Sequence, residues 1–431
     1  MFIFSESIKI EYSHKFLTCR LSVILLLLQV NKNTQMRIQL LTFLMLIFIN
    51  YIVDLYIYYR VICAWCNRRW MKWSFWTTNV LILGMVLVSV NAIKSGYNER
   101  WDYLLFWFLF LYFALYMPRL IFFVISLFDY LPLLFRHKIT RWGSKVALVI
   151  SFIAFVTMLS GAFYGRLHPV INEVEVVSDK LPGAFDGYRI IQISDLHLSS
   201  FGTDTAFVSQ IVNQVNELRP DMIVFTGDLV SRRADEADAF TTVLSRFQAG
   251  DGVWSIMGNH DYGDYVNWNT PEQKIKNLSD IKRMQTDAGW KMLNNASTFI
   301  FRGNDSIALI GVENWGEPPF PQYGNLKVAY TNLNDNNYKI LLTHNPIHWD
   351  KEVVPETNID LSLSGHTHAM QMKVKIGRWQ VSPSSLRYPR WSGLYREGNQ
   401  YLYVNEGIGC VFYPMRIGAR PEITVLTLKS K

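Results

Sequence analysis

The sequence predicts an α-helical membrane domain of about four spans, followed by an α/β (α+β) domain of two stacked mixed sheets flanked by helices. Three observations carry this. Long apolar runs fill the first 168 residues. After them, strand-like and helix-like patterns alternate and then give way to strands. Five of the apolar strands end in a short polar set holding Asp, Asn or His.

The chain has 431 residues and a formal net charge of +7, unevenly placed. Residues 1–168 hold 17 Lys and Arg against 6 Asp and Glu; the remainder holds 25 against 29. A second half with a balance of −4 lacks the basic footprint that a nucleic-acid partner demands, so none is expected. Four cysteines are too few for a disulfide framework. Cys63 and Cys66 form Cys-Ala-Trp-Cys at a helix end with no second pair, and Cys410 reads as a small core residue.

Residues 1–35 are read as an uncertain N-terminal extension, because Leu21–Val30 is too short to span and Met36 opens a fresh basic-then-apolar pattern. Residues 36–168 form the membrane domain. Its apolar runs at 38–59, 76–93, 103–130 and 146–164 approach or exceed the roughly 20 residues a spanning helix needs. Pro118-Arg119 interrupts the third, which is read as one long or kinked helix, with a re-entrant hairpin as the alternative. Trp65, Trp70, Trp73 and Trp76 gather around the first connection, as interfacial aromatics do.

Arg60, Arg68, Arg69 and Lys72 follow the first run, and Arg136, Lys138, Arg141 and Lys145 follow the third. Lys94, Glu99, Arg100 and Asp102 in the middle connection cancel. The excess of Lys and Arg places the first and third loops in the cytoplasm, so four spans put the soluble domain outside it; five would reverse this. The expected location is a membrane, with the soluble domain outside the cytoplasm. A transporter would need paired buried charges. Arg119 is the only charge well inside a run, so the domain reads as an anchor.

In the second domain, 169–431, residues 171–178 alternate as an edge strand. Ile190–Ile193 is a buried strand leading to Asp195 and His197. Residues 204–218 carry an apolar stripe at helical spacing, ended by Pro220. Strand 222–226 closes on Asp228, a helix is expected over 234–248, and strand 253–257 closes on Gly258-Asn259-His260-Asp261. Residues 271–289 are helical, and 299–302 with 307–312 form a hairpin. Strands 339–342 and 359–363 lead to His344 and to His366 and His368; further strands lie at 401–404 and 422–428.

Five of the six histidines in this half fall in these strand-end sets, and only His348 is left over. Ligands gather at the carboxyl ends of strands because the loops there are short and polar. Two carboxylates, one Asn and four His exceed the needs of one ion, and they fill two coordination spheres only if a carboxylate bridges. Two divalent ions about 3.5–4 Å apart can hold a hydroxide and clamp a phosphoryl oxygen. Mixed oxygen and nitrogen donors suit Mn, Fe or Zn better than Ca or Mg.

The order Asp-x-His, Gly-Asp, Gly-Asn-His-Asp, His, Gly-His-x-His resembles the calcineurin-like metallophosphoesterases over residues 171–431. The Ser-Asp-Leu-His first motif is similar to that of a membrane-associated bacterial branch, which includes phosphodiesterases and a chlamydial UDP-2,3-diacylglucosamine pyrophosphohydrolase of lipid A synthesis. The resemblance implies a four-layer sandwich. It implies that Asp195, His197 and His368 hold one metal, that Asn259, His344 and His366 hold the other, and that Asp228 bridges them. His260 would stabilise the phosphoryl group or protonate the leaving oxygen, with Asp261 either orienting it or serving as a turn residue. The family carries Gly-Gly-Gln after the last motif where this chain has Ala369-Met370-Gln371, a departure that bears on substrate more than on metal.

Residues 373–396 mix basic and aromatic side chains directly after that motif. They read either as a lip that holds an anionic head group through Arg387 and Arg390 at the bilayer surface, or as a solvated loop. The proline-rich stretch 314–324 would form the opposite wall or simply connect. The function expected is a membrane-anchored phosphohydrolase acting on phosphate esters of small molecules or lipids, phosphodiesters or lipid-linked phosphate and pyrophosphate among them. The alternatives are the diacylglucosamine pyrophosphohydrolase reaction and a non-catalytic ligand-binding membrane protein.

Overall fold

The computed structural model describes residues 45, 47–65, 68–95, 99–331, 333–377 and 379–431. The expected extension over 1–35 lies outside the described residues, as does Cys66. The chain forms two compact units, one of residues 1–79 and 119–151, the other of 80–118 and 152–431.

The apolar first part is helical. Residues 47–57 form α1, followed by a π-helical turn at Tyr58–Ile62. Then come α2 (Arg69–Ser95), α3 (Glu99–Ser126) and α4 (Trp142–Phe163). Pro118 lies inside α3 without ending it, so the third run is one helix and not a re-entrant hairpin. Among the described residues, Tyr103–Phe135 and Trp142–Leu167 are long and apolar enough to cross a membrane. Trp70, Trp73 and Trp76 belong to α2 itself, with Trp70 and Trp73 exposed.

Two expectations about charge are corrected here. Arg119 does not stand alone: its guanidinium lies 2.8 Å from Asp54 of α1, meets Asn79 of α2 at 2.5 Å and sits over the Phe75 ring. Nor is Arg60 a loop charge. It pairs at 2.7 Å with buried Asp129, which also accepts from Ser144 and the Gly143 amide. These partners are 65 and 69 positions apart, beyond any periodicity in the sequence. The unit therefore contains the paired charges that the sequence did not show.

The second unit carries two six-stranded sheets. The first has the order β1 (Val170–Ser178), β14 (Glu422–Ser430), β2 (Arg189–Ile193), β3 (Met222–Phe225), β4 (Val253–Ser255), β5 (Lys291–Met292). The second has the order β12 (Gly393–Glu397), β13 (Gln400–Val404), β9 (Leu361–Ser364), β8 (Lys339–Leu342), β7 (Asp305–Gly311), β6 (Ala296–Arg302). A separate ribbon pairs β10 (Val374–Ile376) with β11 (Trp379–Val381).

Alternation along the strands sets the layers. Ile190, Met222, Val224 and Leu426 of the first sheet meet Leu309, Ile340, Leu342 and Leu363 of the second in one buried core. The opposite face of the first sheet, with Ile191, Ile193, Ile223 and Phe225, takes α5 (Ala206–Glu217) and α6 (Pro271–Asp287). The outer face of the second sheet, with Ile310, Leu341 and Leu402, is covered by Trp349 and Val353. The result is the four-layer sandwich of two mixed sheets flanked by helices.

The helix expected over 234–248 is a correction: the segment makes only short turns at Ala234–Ala237 and Thr241–Leu244. Glu236 folds back to accept the amides of Ser231 and Arg233, and Asn277 of α6 accepts that of Ala234. Those anchors hold the backbone away from a continuous helical path. Strands β2, β3 and β4 run parallel, as do β8 and β9, so each sheet delivers its strand ends together.

Candidate metal centre

Five loops leave these strand ends. Asp195 and His197 follow β2, Asp228 follows β3, Asn259 and His260 follow β4, His344 follows β8, and His366 and His368 follow β9. The loops bind one another through backbone: the Asp195 amide donates to Gly227 O at 2.9 Å and the Gly365 amide to His344 O at 3.1 Å. Between the sheets, Gln192 donates to Thr226 and to the Ser364 carbonyl.

The side chains converge. His197 Nε2 and His368 Nε2 are 3.2 Å apart, and His368 Nε2 lies 3.2 Å from Asp195 Oδ1. On the other side, Asn259 Oδ1 sits 3.0 Å from His344 Nε2 and 2.8 Å from His366 Nδ1. Asp228 Oδ2 lies between the two groups, 3.1 Å from His344 Nε2 and 3.5 Å from His197 Nε2. Three overlapping sets, Asp195/His197/His368, His197/Asp228/His260 and Asp228/His344/His366, keep their donor atoms within 4.8 Å of one another.

Backbone geometry holds them there. Asp195, His197, Asp228, His366 and His368 all have positive φ, from 38° to 72°, a conformation rarely kept except where surroundings enforce it. Two glycines let the loops close. A Cβ at Gly258 would lie 2.1 Å from Asp228 Oδ1, and one at Gly365 would lie 2.2 Å from Asp195 Oδ2.

The electrostatics follow from burial and close charges. Burial alone would raise Asp195, but His368 and His344 beside it hold it well below the usual carboxylate range. Asp228 behaves alike, with His344 and His260 opposing its burial. Burial would lower His344, yet the Asp228 and Asp195 carboxylates push it up to about 9. Burial, then the charge of His344, takes His366 down to about 3. His197 is lowered by burial and by His260. Buried carboxylates packed against several imidazoles, with few hydrogen atoms to share among them, suit a pair of divalent cations.

His260 turns its Nδ1 to the Ser231 carbonyl at 2.7 Å, leaving Nε2 available. Its orientation therefore comes from Ser231 and not from Asp261. Asp261 is a turn residue, buried, accepting the amides of Asp228, Leu229, Val230 and Gly258.

Arg387 and Arg390 reach other partners. Arg387 is exposed and pairs with Glu317 of the proline-rich stretch, joining the two expected walls. Arg390 pairs with Asp350 and Glu397 and sits over the Trp349 and Tyr395 rings, none of which belongs to the convergent set. Its neighbour Tyr388 does reach the site, with its hydroxyl 3.0 Å from His366 Nε2.

Arg416 has no signal in the sequence. It is wholly buried, donates to the carbonyls of Gly409, Glu406 and Ala419, and places Nη2 3.1 Å from His368 Nδ1. Asn405-Glu406-Gly407 carries a legible signal, since it follows the apolar strand β13 as the other five sets follow theirs.

A family model described as calcineurin-like phosphoesterase matches residues 188–370. A second, described as probable calcineurin-like phosphoesterase, transmembrane domain, matches residues 36–166. The chain is similar to the metallophosphoesterase YkuE of Bacillus subtilis, 32% identical over 265 residues, which are 60% of this chain and 85% of that protein. It is 30% identical over 281 residues to a transmembrane protein with metallophosphoesterase domain of Danio rerio, covering 62% of this chain and 60% of that one, under two thirds of the relative's length. It is 27% identical over 336 residues to the UDP-2,3-diacylglucosamine pyrophosphatase LpxG of Chlamydia muridarum, covering 66% of this chain and 97% of that one.

Proposed function

The chain belongs to the calcineurin-like metallophosphoesterases, a membrane protein with a metal-dependent hydrolase domain, and from that premise we propose that it hydrolyses phosphodiesters or lipid-linked phosphate and pyrophosphate esters. The observation that carries the reading is the position of Asp228 Oδ2 between His197 and His344, where one carboxylate oxygen serves both halves of the site. In this reading Asp195, His197 and His368 hold one divalent cation, Asn259, His344 and His366 hold the second, and Asp228 bridges. Mn, Fe or Zn suits these donors.

A cation pair there supplies Lewis acidity, polarising the phosphoryl oxygen and acidifying a water. The chain's own residues do the rest. His260, held by Ser231 and grouped with His197 and Asp228, gives a proton to the leaving oxygen. The phosphorus gains a bond to the water oxygen and loses its bond to the ester oxygen; the alcohol departs with the proton from His260, and the water's proton passes to solvent, which reprotonates His260. Tyr388 closes the far side over His366.

We place the membrane domain at 36–168 and the hydrolase domain at 169–431, in a bacterial inner membrane. The charges at the helix ends and in the connections, Arg68, Arg69 and Lys72, and Arg136, Lys138, Arg141 and Lys145, favour an extracytoplasmic hydrolase domain. The second reading, hydrolysis of a UDP-diacylglucosamine pyrophosphate, draws on the LpxG relative and needs the cytoplasmic face.

The test is hydrolysis of bis-p-nitrophenyl phosphate by the purified, Mn-loaded chain, abolished in Asp228→Ala. Inertness of the wild type on mono-, di- and pyrophosphate esters would leave the ligand-binding alternative. Protease access in intact spheroplasts decides the side, and with it between the two substrate readings.

A further inference from the structure

We propose that the ribbon β10–β11 inserts one face into the lipid surface of the bilayer that the chain's own helices enter, and that it thereby presents a lipid-borne phosphate ester to the metal centre. The proposal rests on the phosphohydrolase reading and names its substrate class.

The ribbon pairs Val374 with Val381 and Ile376 with Trp379 across its two strands. Side chains two apart on a strand share a face, so these four lie together and Lys375 and Gln380 take the other side. The apolar face is uncovered: Val374 is 58% exposed, Ile376 73%, Trp379 81% and Val381 63%. A two-stranded ribbon is marginal by itself in water, and one that offers its whole apolar face to water is more so. Neither six-stranded sheet takes it up as a strand.

The base of the ribbon is tied to the apolar helices. Met372 bridges to Ile417, and the Lys373 amide donates to Ile417 O at 2.8 Å. Met372, Tyr413 and Ile417 pack with Phe110 and Ala114 of α3 and with Met158 and Ala162 of α4. Both helices lie in runs long and apolar enough to cross a membrane, so the base of the ribbon packs on segments able to enter lipid. Gln371 clamps the arrangement by donating to the carbonyls of Tyr413 and Met415.

Backbone strain marks the same border. Met370 (φ 45°) and Phe412 (φ 65°) hold left-handed conformations, which are strained for a residue with a side chain. Both side chains are exposed, Met370 by 40% and Phe412 by 75%, and so are available to lipid at this border.

Charge fits the same partner. Residues 373–396 hold six Lys and Arg and no Asp or Glu, as an anionic head-group region favours. Trp379 at the ribbon and Tyr388 at His366 are nine positions apart, so the chain between them spans at most about 30 Å.

The test uses the full chain in vesicles of phosphatidylcholine and phosphatidylglycerol. In a background with Cys19, Cys63, Cys66 and Cys410 replaced by Ser or Ala, Trp379→Cys is labelled with a nitrobenzoxadiazole dye and compared with the same dye at Lys276→Cys. Doxyl-labelled lipid is expected to quench the dye at 379 at least twofold more than at 276. The double variant Ile376→Ser/Trp379→Ser is expected to hydrolyse bis-p-nitrophenyl phosphate within twofold of wild type. On a phospholipid bearing a p-nitrophenyl head group it is expected to be at least tenfold slower. Equal quenching at the two positions overturns the proposal, as does quenching by a labelled second copy of the chain in place of lipid. A double variant that loses both activities alike, or neither, also overturns it. If the wild type hydrolyses neither ester, the phosphohydrolase reading fails, and the quenching alone decides whether the ribbon enters lipid.

Discussion

Asp261 accepts the amide hydrogen of Asp228 at 3.0 Å, so the carboxylate placed between the two halves of the site is set by a second buried carboxylate. Asp261 also takes the amides of Leu229, Val230 and Gly258 at 2.9–3.2 Å. In Asp261→Asn the side-chain NH2 would face one or more of those donors. The variant is expected to lose about 2 kcal/mol of stability and to bind less metal, because a buried donor left without an acceptor keeps its desolvation cost. Thermal unfolding and elemental analysis of the purified variant measure both. An unchanged Tm would show that the turn holds Asp228 without this carboxylate.

In the proposed reading, His260 separates catalysis from metal binding. Its Nδ1 is committed to the Ser231 carbonyl, and it is half-buried at the rim of the pocket. In His260→Asn the turnover of bis-p-nitrophenyl phosphate is expected to fall about 10²–10⁴-fold, the usual worth of a positioned proton donor. Metal content should stay at the wild-type level. The effect should shrink on an ester with a p-nitrophenol leaving group relative to one with an alkyl alcohol, since the better leaving group needs less protonation. Loss of metal together with activity would make His260 a ligand.

Metal loading carries a proton signature. Before a cation binds, Asp228 and Asp195 hold His344 protonated up to about pH 9 despite its burial. A ligand imidazole must be neutral, so with His344 as the proposed ligand, binding below that pH displaces one proton from it. The apparent Kd for Mn or Zn is therefore expected to fall roughly tenfold per unit from pH 6 to pH 8 and to flatten near pH 9. His366, already neutral above about pH 3, adds no proton in this range. Competition with a chelating dye at several pH values measures the slope. A flat profile would put the proton elsewhere.

The strand ends were legible because short apolar runs that stop at Asp, Asn or His are local patterns. Asp195, Asp228, Asn259, His344, His366 and His368 each follow a strand that the sequence marks by itself. Arg416 was not legible: its tie to His368 spans 48 positions and rests on carbonyls, which carry no sequence signature. The ribbon escaped for a related reason. Its alternation over 374–381 is clear once seen, but each strand is only three residues long, below the length at which alternation separates from chance. The missing helix over 234–248 failed in the other direction, with helical spacing overridden by the anchors at Glu236 and Asn277.

The three residues where the family pattern has Gly-Gly-Gln all take left-handed backbone here: Ala369 at φ 50°, Met370 at 45° and Gln371 at 59°. Glycine adopts that conformation without strain, and a residue with a Cβ does not. Met370→Gly is therefore expected to raise stability by about 1 kcal/mol or somewhat less, since greater freedom of the unfolded chain offsets part of the relief. Denaturant unfolding of the purified chain measures it. A destabilised Met370→Gly would mean that the side chain has a packing partner worth more than the strain.

The Arg119–Asp54 pair offers a test of the helical unit that is independent of catalysis. Asp54 is buried, Arg119 nearly so, and Asn79 shares the guanidinium. Removing one charge leaves the other in an apolar surround, so Arg119→Leu is expected to cost about 3 kcal/mol. Removing both leaves no charge behind, and Arg119→Leu/Asp54→Leu should recover most of that loss. Thermal unfolding in detergent reads the two differences, and hydrolysis of bis-p-nitrophenyl phosphate by the folded double variant should stay near wild type. If the double variant is as unstable as the single, the pair does more than neutralise itself. A polar site between helices would then remain to be explained by what it binds, because buried charges in such a setting are kept for function when they are not needed for stability.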